Sequence, residues 1–294
     1  MFKNKGPGLA NNMFRRLSFP LLRRFGILNY PDAFMNYPLW RWQALFKDVF
    51  GGKLAYISFT GGEPLLHYKK MNDLIRTVSE SSEDYRIRFD TNGSVIPVFS
   101  YEFHKKIAYV VSYHKSQARI DTFLKNLELL SKQGNVYMIQ RIINSEMELE
   151  DAMNDMELFN SHGYYMNISP AFFTVENWSK GNVELLRKVT TDIDYELRIE
   201  RKTKNKMCKY PEFGFRLLPN GYAEIYPCHN KVINLMKERS PNKLFTKGPM
   251  VCASRDCTCL HTYGFVAGID RNAYSFDILG NFVEDNKAHR KDRR

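Results

Sequence analysis

The chain has 294 residues, 44% of them apolar, which is enough for one large domain with an appendage or for two ordinary domains and excludes a disordered, collagenous or small disulfide-stapled chain. The 43 basic against 32 acidic residues give a net charge of +11, so a polyanion or an anionic membrane surface stands among the partners to consider. No apolar run reaches the roughly 18–20 residues needed to cross a bilayer and no cleavable apolar leader opens the chain, so the expected compartment is the cytoplasm.

Residues 1–37 read as a basic arm. Lys3, Lys5, Arg15, Arg16, Arg23 and Arg24 all precede the first acidic residue, and apolar residues at 14, 17, 21, 25 and 28 follow helical spacing. Such an arm either packs on the body with a solvated arginine face or meets RNA or an anionic membrane.

Residues 38–180 alternate short β-rich runs with helical stretches, the pattern of repeated βα units. In chain order we expect a helix at Pro38–Phe50, a strand at Leu54–Phe59, a helix at Tyr68–Ser79 and strands at Tyr85–Phe89 and Ile107–Tyr113. A helix at Ile120–Lys132, a strand at Val136–Ile142, a helix at Glu146–Asn160 and a strand at Tyr165–Ile168 follow. Five strands with intervening helices imply an α/β fold with a parallel sheet, curled into a partial (βα) barrel or wound as an open sheet. Trp40 and Trp42, beside Leu39, Leu45 and Phe46, read as core packing rather than as a base-stacking platform.

The pattern then changes. A charged helical stretch, Val183–Lys204, leads into a small cysteine-bearing module over residues 200–270, with a β-hairpin formed by Phe213–Leu218, the turn Pro219-Asn220-Gly221, and Tyr222–Tyr226. Residues 271–294 form a basic tail.

Two loops carry the chemistry. Thr60-Gly61-Gly62-Glu63-Pro64 follows the strand at 54–59, and Asp90-Thr91-Asn92-Gly93 follows the strand at 85–89. Parallel sheets present their sites at the carboxyl ends of strands, where glycines let backbone approach a ligand and Asn92 suits a pair of ribose hydroxyls. Each loop, taken alone, is also an ordinary turn.

The run Ile57-Ser58-Phe59-Thr60-Gly61-Gly62-Glu63-Pro64, then Asp90-Thr91-Asn92-Gly93, then Val111-Ser112-Tyr113-His114 resembles the core of the radical S-adenosylmethionine family. The resemblance covers residues 38–170 and implies a partial βα barrel holding S-adenosylmethionine over a four-iron cluster. It implies that Gly61, Gly62, Glu63 and Pro64 meet the methionine ammonium, that Asn92 lies near the ribose, and that Ser112 and Arg141 are candidates for the methionine carboxylate. The family's three-cysteine signature lies before its Gly-Gly-Glu-Pro loop, whereas the first cysteine here is Cys208. The expectation is therefore a chain truncated at its N-terminus or degenerate in cofactor cleavage, since no side chain replaces that redox centre.

Five cysteines lie in the last third: Cys208, Cys228, Cys252, Cys257 and Cys259. A one-sided, odd-numbered set reads as metal ligation before disulfides. The stretch resembles the auxiliary-cluster module of SPASM or twitch type, which implies a [4Fe–4S] auxiliary cluster on Cys208, Cys228, Cys257 and Cys259, with Cys252 as the spare. Cys257-x-Cys259-x-His261 also suits tetrahedral zinc. The functional expectation is an iron–sulfur protein acting on a peptide or small metabolite and served by an electron donor if active. The alternative is a non-catalytic protein that binds a peptide, a partner or RNA around a structural zinc or cluster.

Overall fold

The computed structural model describes residues 37–171, 178–189, 204–208, 212, 214–218, 221–224, 232–237, 245 and 247–252. Its body runs α1 (Leu39–Phe50), β1 (Leu54–Phe59), α2 (Tyr68–Ser81), β2 (Asp84–Thr91), β3 (Ile107–Ser112), α3 (Ile120–Ser131), β4 (Asn135–Ile143), α4 (Leu149–Ser161), β5 (Met166–Pro170) and α5 (Lys180–Val189). The five strands form one parallel sheet in the order β1-β2-β3-β4-β5. The expected parallel α/β sheet is present, with β1 and β5 as its edges and no closure into a barrel among the described residues.

A sheet ordered as its strands occur in the chain, with crossovers of one hand, places its helices on one face. Trp42, Leu45, Phe46 and Val49 on α1 and Met71, Leu74, Ile75 and Val78 on α2 are the i, i+3, i+4, i+7 stripes that bury against it. They share one core with Ala55, Ile57, Ile87, Phe89, Ile107, Tyr109, Val111, Ile139, Ile143, Met166 and Ile168, alternate residues of the five strands. Trp40 falls outside the α1 stripe and is 61% exposed, its ring under the Arg41 guanidinium, so only Trp42 of the two tryptophans packs in the core as expected.

The opposite face carries Ala108, Val110, Tyr137 and Met138, flanked by Tyr56 and Tyr165. A bulge opposite Tyr109/Val110 explains why the consecutive Tyr137 and Met138 both belong there. Under the helices, Phe59, Phe89 and Tyr109 are register neighbours whose rings stack at 5.2 and 6.0 Å, fixing the carboxyl ends of β1–β3.

Beyond the body lie β6 (Met207–Cys208), β7 (Arg216–Leu217), β8 (Tyr222–Glu224), β9 (Val232–Asn234) and β10 (Met250–Val251). The expected hairpin is β7–β8, and β9 adds a third antiparallel strand. Ala223, Ile233 and Leu235 join the main core cluster, so this small sheet packs on the body. The basic arm, most of the 183–204 stretch, Cys228, Cys257, Cys259, His261 and the tail lie outside the described residues. Among the described residues no helix is long and apolar enough to cross a membrane.

Candidate functional site

The two glycine loops meet at the carboxyl edge of β1 and β2. Gly61 and Gly62 have φ of +90° and +63°, which residues with a Cβ rarely adopt, and a Cβ at either would meet nothing within 4 Å. Their requirement is therefore conformational, and the space beside them is open. Glu63 then caps the short 3₁₀ turn Pro64–His67, its Oε1 accepting from the Leu65 amide at 3.1 Å.

The same carboxylate reaches the neighbouring loop. Glu63 Oε1 also accepts from the Thr91 hydroxyl at 2.7 Å, and Oε2 accepts from the Asn92 amide at 2.8 Å. A carboxylate has about four acceptor positions, so three are already used within the chain. Asn92 turns its Oδ1 back to the Ser94 amide at 2.8 Å, and Thr91 Oγ1 takes the Gly93 amide at 3.0 Å. Gly61, Gly62, Glu63, Pro64 and Asn92 are thus brought onto one rim. Pro64 is buried, while Gly61, Gly62 and Asn92 are exposed.

Ser112 ends β3 next to Val111, whose side chain joins the core, so Ser112 points to the opposite face, helix-free among the described residues, and lies half-buried there. Arg141 is directed the other way. It alternates with Ile139 and Ile143 on the helix side, where its guanidinium pairs with Asp155 and, at 2.7 Å, with Asp151 of α4. Lys115 joins them, 2.5 Å from Asp151 and 3.2 Å from Asp155. Hydrogen bonds from Lys115 and Arg141 hold the Asp151 carboxyl below the usual range, and those carboxylates hold the Lys115 ammonium above its own.

The helix-free face carries a polar row near its carboxyl end that sequence reading missed. Gln140 is the register partner of both Ser112 and Asn167. Its amide donates to the Ser169 hydroxyl, and Asn167 Nδ2 donates to Gln140 Oε1 at 3.3 Å. Arg88 and Asp90 on β2 complete the row toward β1. The available signal was the alternation Arg86-Ile87-Arg88-Phe89-Asp90-Thr91, which segregates charge from apolar bulk by face.

Of the five cysteines, Cys208 and Cys252 are described, and both are buried. β6 pairs with β10 so that Cys208 faces Met250, while the Cys252 amide donates to the Lys206 carbonyl at 2.8 Å. Two residues apart in this ladder, the two thiols share one face of the ribbon. Among the described residues no group of three or more metal-ligating side chains occurs. No family model matches the chain, and no curated protein sequence matches it.

Proposed function

We propose that this chain is a radical S-adenosylmethionine-like protein that binds a sulfonium nucleoside at the carboxyl rim of β1 and β2 and carries a thiolate-bound inorganic centre in its C-terminal module. The observation that carries the reading is the Glu63 carboxylate joining the two glycine loops, because it makes a single shaped rim from motifs 29 residues apart. The in-order parallel sheet supports a partial βα barrel of the radical S-adenosylmethionine type, since such an order gathers the described helices on one face. Gly61 and Gly62 would admit the methionine end and Asn92 would reach the ribose. A polar ligand-facing row extending to Ser169 suits a peptide or a small polar metabolite as substrate.

Cys208 and Cys252 would supply two thiolates to an auxiliary cluster or zinc, which when bound would supply electron transfer or structural anchoring respectively. With both described thiols on one face of the ribbon, we count Cys252 with Cys208 in the proposed ligand set and leave the spare among Cys228, Cys257 and Cys259. A thiol-ligated centre also favours a reducing compartment such as the cytoplasm.

Calorimetric titration of the full chain with S-adenosylhomocysteine tests the reading. Micromolar binding abolished by Glu63→Ala is expected, whereas no nucleoside binding together with salt-sensitive RNA binding would replace it with the binding-protein alternative.

A further inference from the structure

Next to the Glu63 clasp, the helix-free face holds a charged pair that the clasp does not use. Arg88 and Asp90 are two residues apart on β2 and share that face. Arg88 Nε donates to Asp90 Oδ1 at 2.6 Å, with the side chains 8% and 22% exposed. Tyr56 of β1 also hydrogen-bonds Arg88, and burial raises its phenol far above the ordinary value. Burial alone would lower the Arg88 pKa, but the charges and hydrogen bonds of Asp90 and Tyr56 outweigh it and raise it. Ser58 is the register partner of Arg88, and its buried hydroxyl has no hydrogen-bond partner among the described residues.

Stability does not explain this set. A buried ion pair seldom outperforms apolar packing, and a buried unpartnered hydroxyl is a cost. Ser58 and Asp90 each stand one residue, and Arg88 three residues, from the carboxyl ends of adjacent parallel strands, where such sheets bind ligands. The pair is electrically balanced, so a lone cation or anion would leave net charge in a poorly solvated place, whereas a ligand with both charges would not. Asp90 offers Oδ2, and Glu63, already committed to three bonds within the chain, is a weaker acceptor for an ammonium.

We propose that Ser58, Arg88 and Asp90 form a site for an α-amino-acid zwitterion, with the ligand ammonium donating to Asp90 and its carboxylate accepting from Ser58 beside the Arg88 guanidinium. The methionine end of the nucleoside proposed above is one such zwitterion and a free amino acid is another, so the inference rests in part on that reading.

The test titrates the full chain with S-adenosylhomocysteine, with 5′-methylthioadenosine, which lacks the amino-acid end, and with L-methionine. Asp90→Asn is expected to weaken S-adenosylhomocysteine by about tenfold or more and Ser58→Ala by about threefold, with 5′-methylthioadenosine unchanged within about twofold in both. Ser58→Ala leaves the ion pair intact and so keeps the test decisive should Asp90→Asn not fold. Parallel loss of both nucleosides, or no loss of either, overturns the inference. If the wild-type chain binds neither nucleoside, the sulfonium-nucleoside reading fails and L-methionine alone decides. Binding that Ser58→Ala weakens then upholds a zwitterion site, and no binding overturns it.

Discussion

Arg141 on β4 and Asp155 on α4 form an ion pair whose side chains are only 6% and 9% exposed. Asp155 occupies the core-facing stripe of its helix with Leu149, Ala152 and Phe159, so the acid sits where an apolar residue would ordinarily pack. Asp155→Ala removes the buried partner of Arg141 and leaves it Asp151 alone, and should cost about 2–3 kcal/mol in urea unfolding. Arg141→Met combined with Asp155→Leu should recover most of that loss. Because both groups face the helices, the double variant should bind S-adenosylhomocysteine within about twofold of wild type. A double variant that folds and loses binding would return Arg141 to the ligand.

The glycines of the rim give a second expectation. Gly61→Ala and Gly62→Ala place a Cβ in open space but on backbone with φ of +90° and +63°. The cost is then backbone strain, of order 1–3 kcal/mol each, appearing as a lower unfolding midpoint. Nucleoside affinity should fall as well, because the strained loop no longer presents Glu63 to Thr91 and Asn92. An affinity loss without any stability loss would mean that the methyl group itself blocks the ligand.

The parallel α/β character was legible because it rests on periodicity, and periodicity survives without tertiary context. The α1 and α2 stripes and the strand at 54–59 appear where the pattern of apolar residues places them. The joining of Glu63 to Asn92 was also accessible, since consecutive parallel strands must bring their carboxyl-end loops together. What strand-end position alone does not convey is face. Ser112 ends β3 and Arg141 lies two residues before the end of β4, yet Ser112 alternates with Val111 away from the helices while Arg141 alternates with Ile139 and Ile143 toward them. The placement of Cys208 and Cys252 on one face of a ribbon was hidden for another reason. It depends on a two-residue strand, too short for any alternation signal, meeting another 42 residues away.

The exposed half of the Arg141 network predicts a pH dependence. The Asp151 carboxyl is held low by hydrogen bonds from Lys115 and Arg141, so its folded pKa lies below its unfolded value. A depressed carboxylate contributes stability above the unfolded pKa of about 3.9 and loses it as pH falls through the folded value. Lys115 runs the other way: its raised pKa contributes below the unfolded value of about 10.4 and is lost as pH rises through the folded one. Asp151→Asn should therefore flatten the acid limb of the stability curve, measured by urea unfolding from about pH 3 to 7. Asp151 is half exposed, so the effect is modest and shrinks with added salt. An unchanged acid limb would show that the carboxylate gains nothing from its partners.

The cysteines carry the last expectation. Cys208 and Cys252 are buried on one face of a two-stranded ribbon, and the proposed thiolate centre draws on both. Anaerobic reconstitution of the full chain with iron and sulfide should give a brown protein with labile sulfide, and Cys252→Ser should lower its iron content, as should Cys208→Ser. One zinc per chain, without colour or sulfide, would assign a tetrahedral structural site instead. Even when reconstituted, the chain should not form 5′-deoxyadenosine from S-adenosylmethionine under strong reductant. Cleaving the sulfonium requires an iron with an open position beside the nucleoside, and no cysteine precedes the Glu63 loop to hold one there. Enzyme-dependent 5′-deoxyadenosine would mean that the downstream thiols reach the rim, and Cys208→Ser should then abolish the product along with the iron.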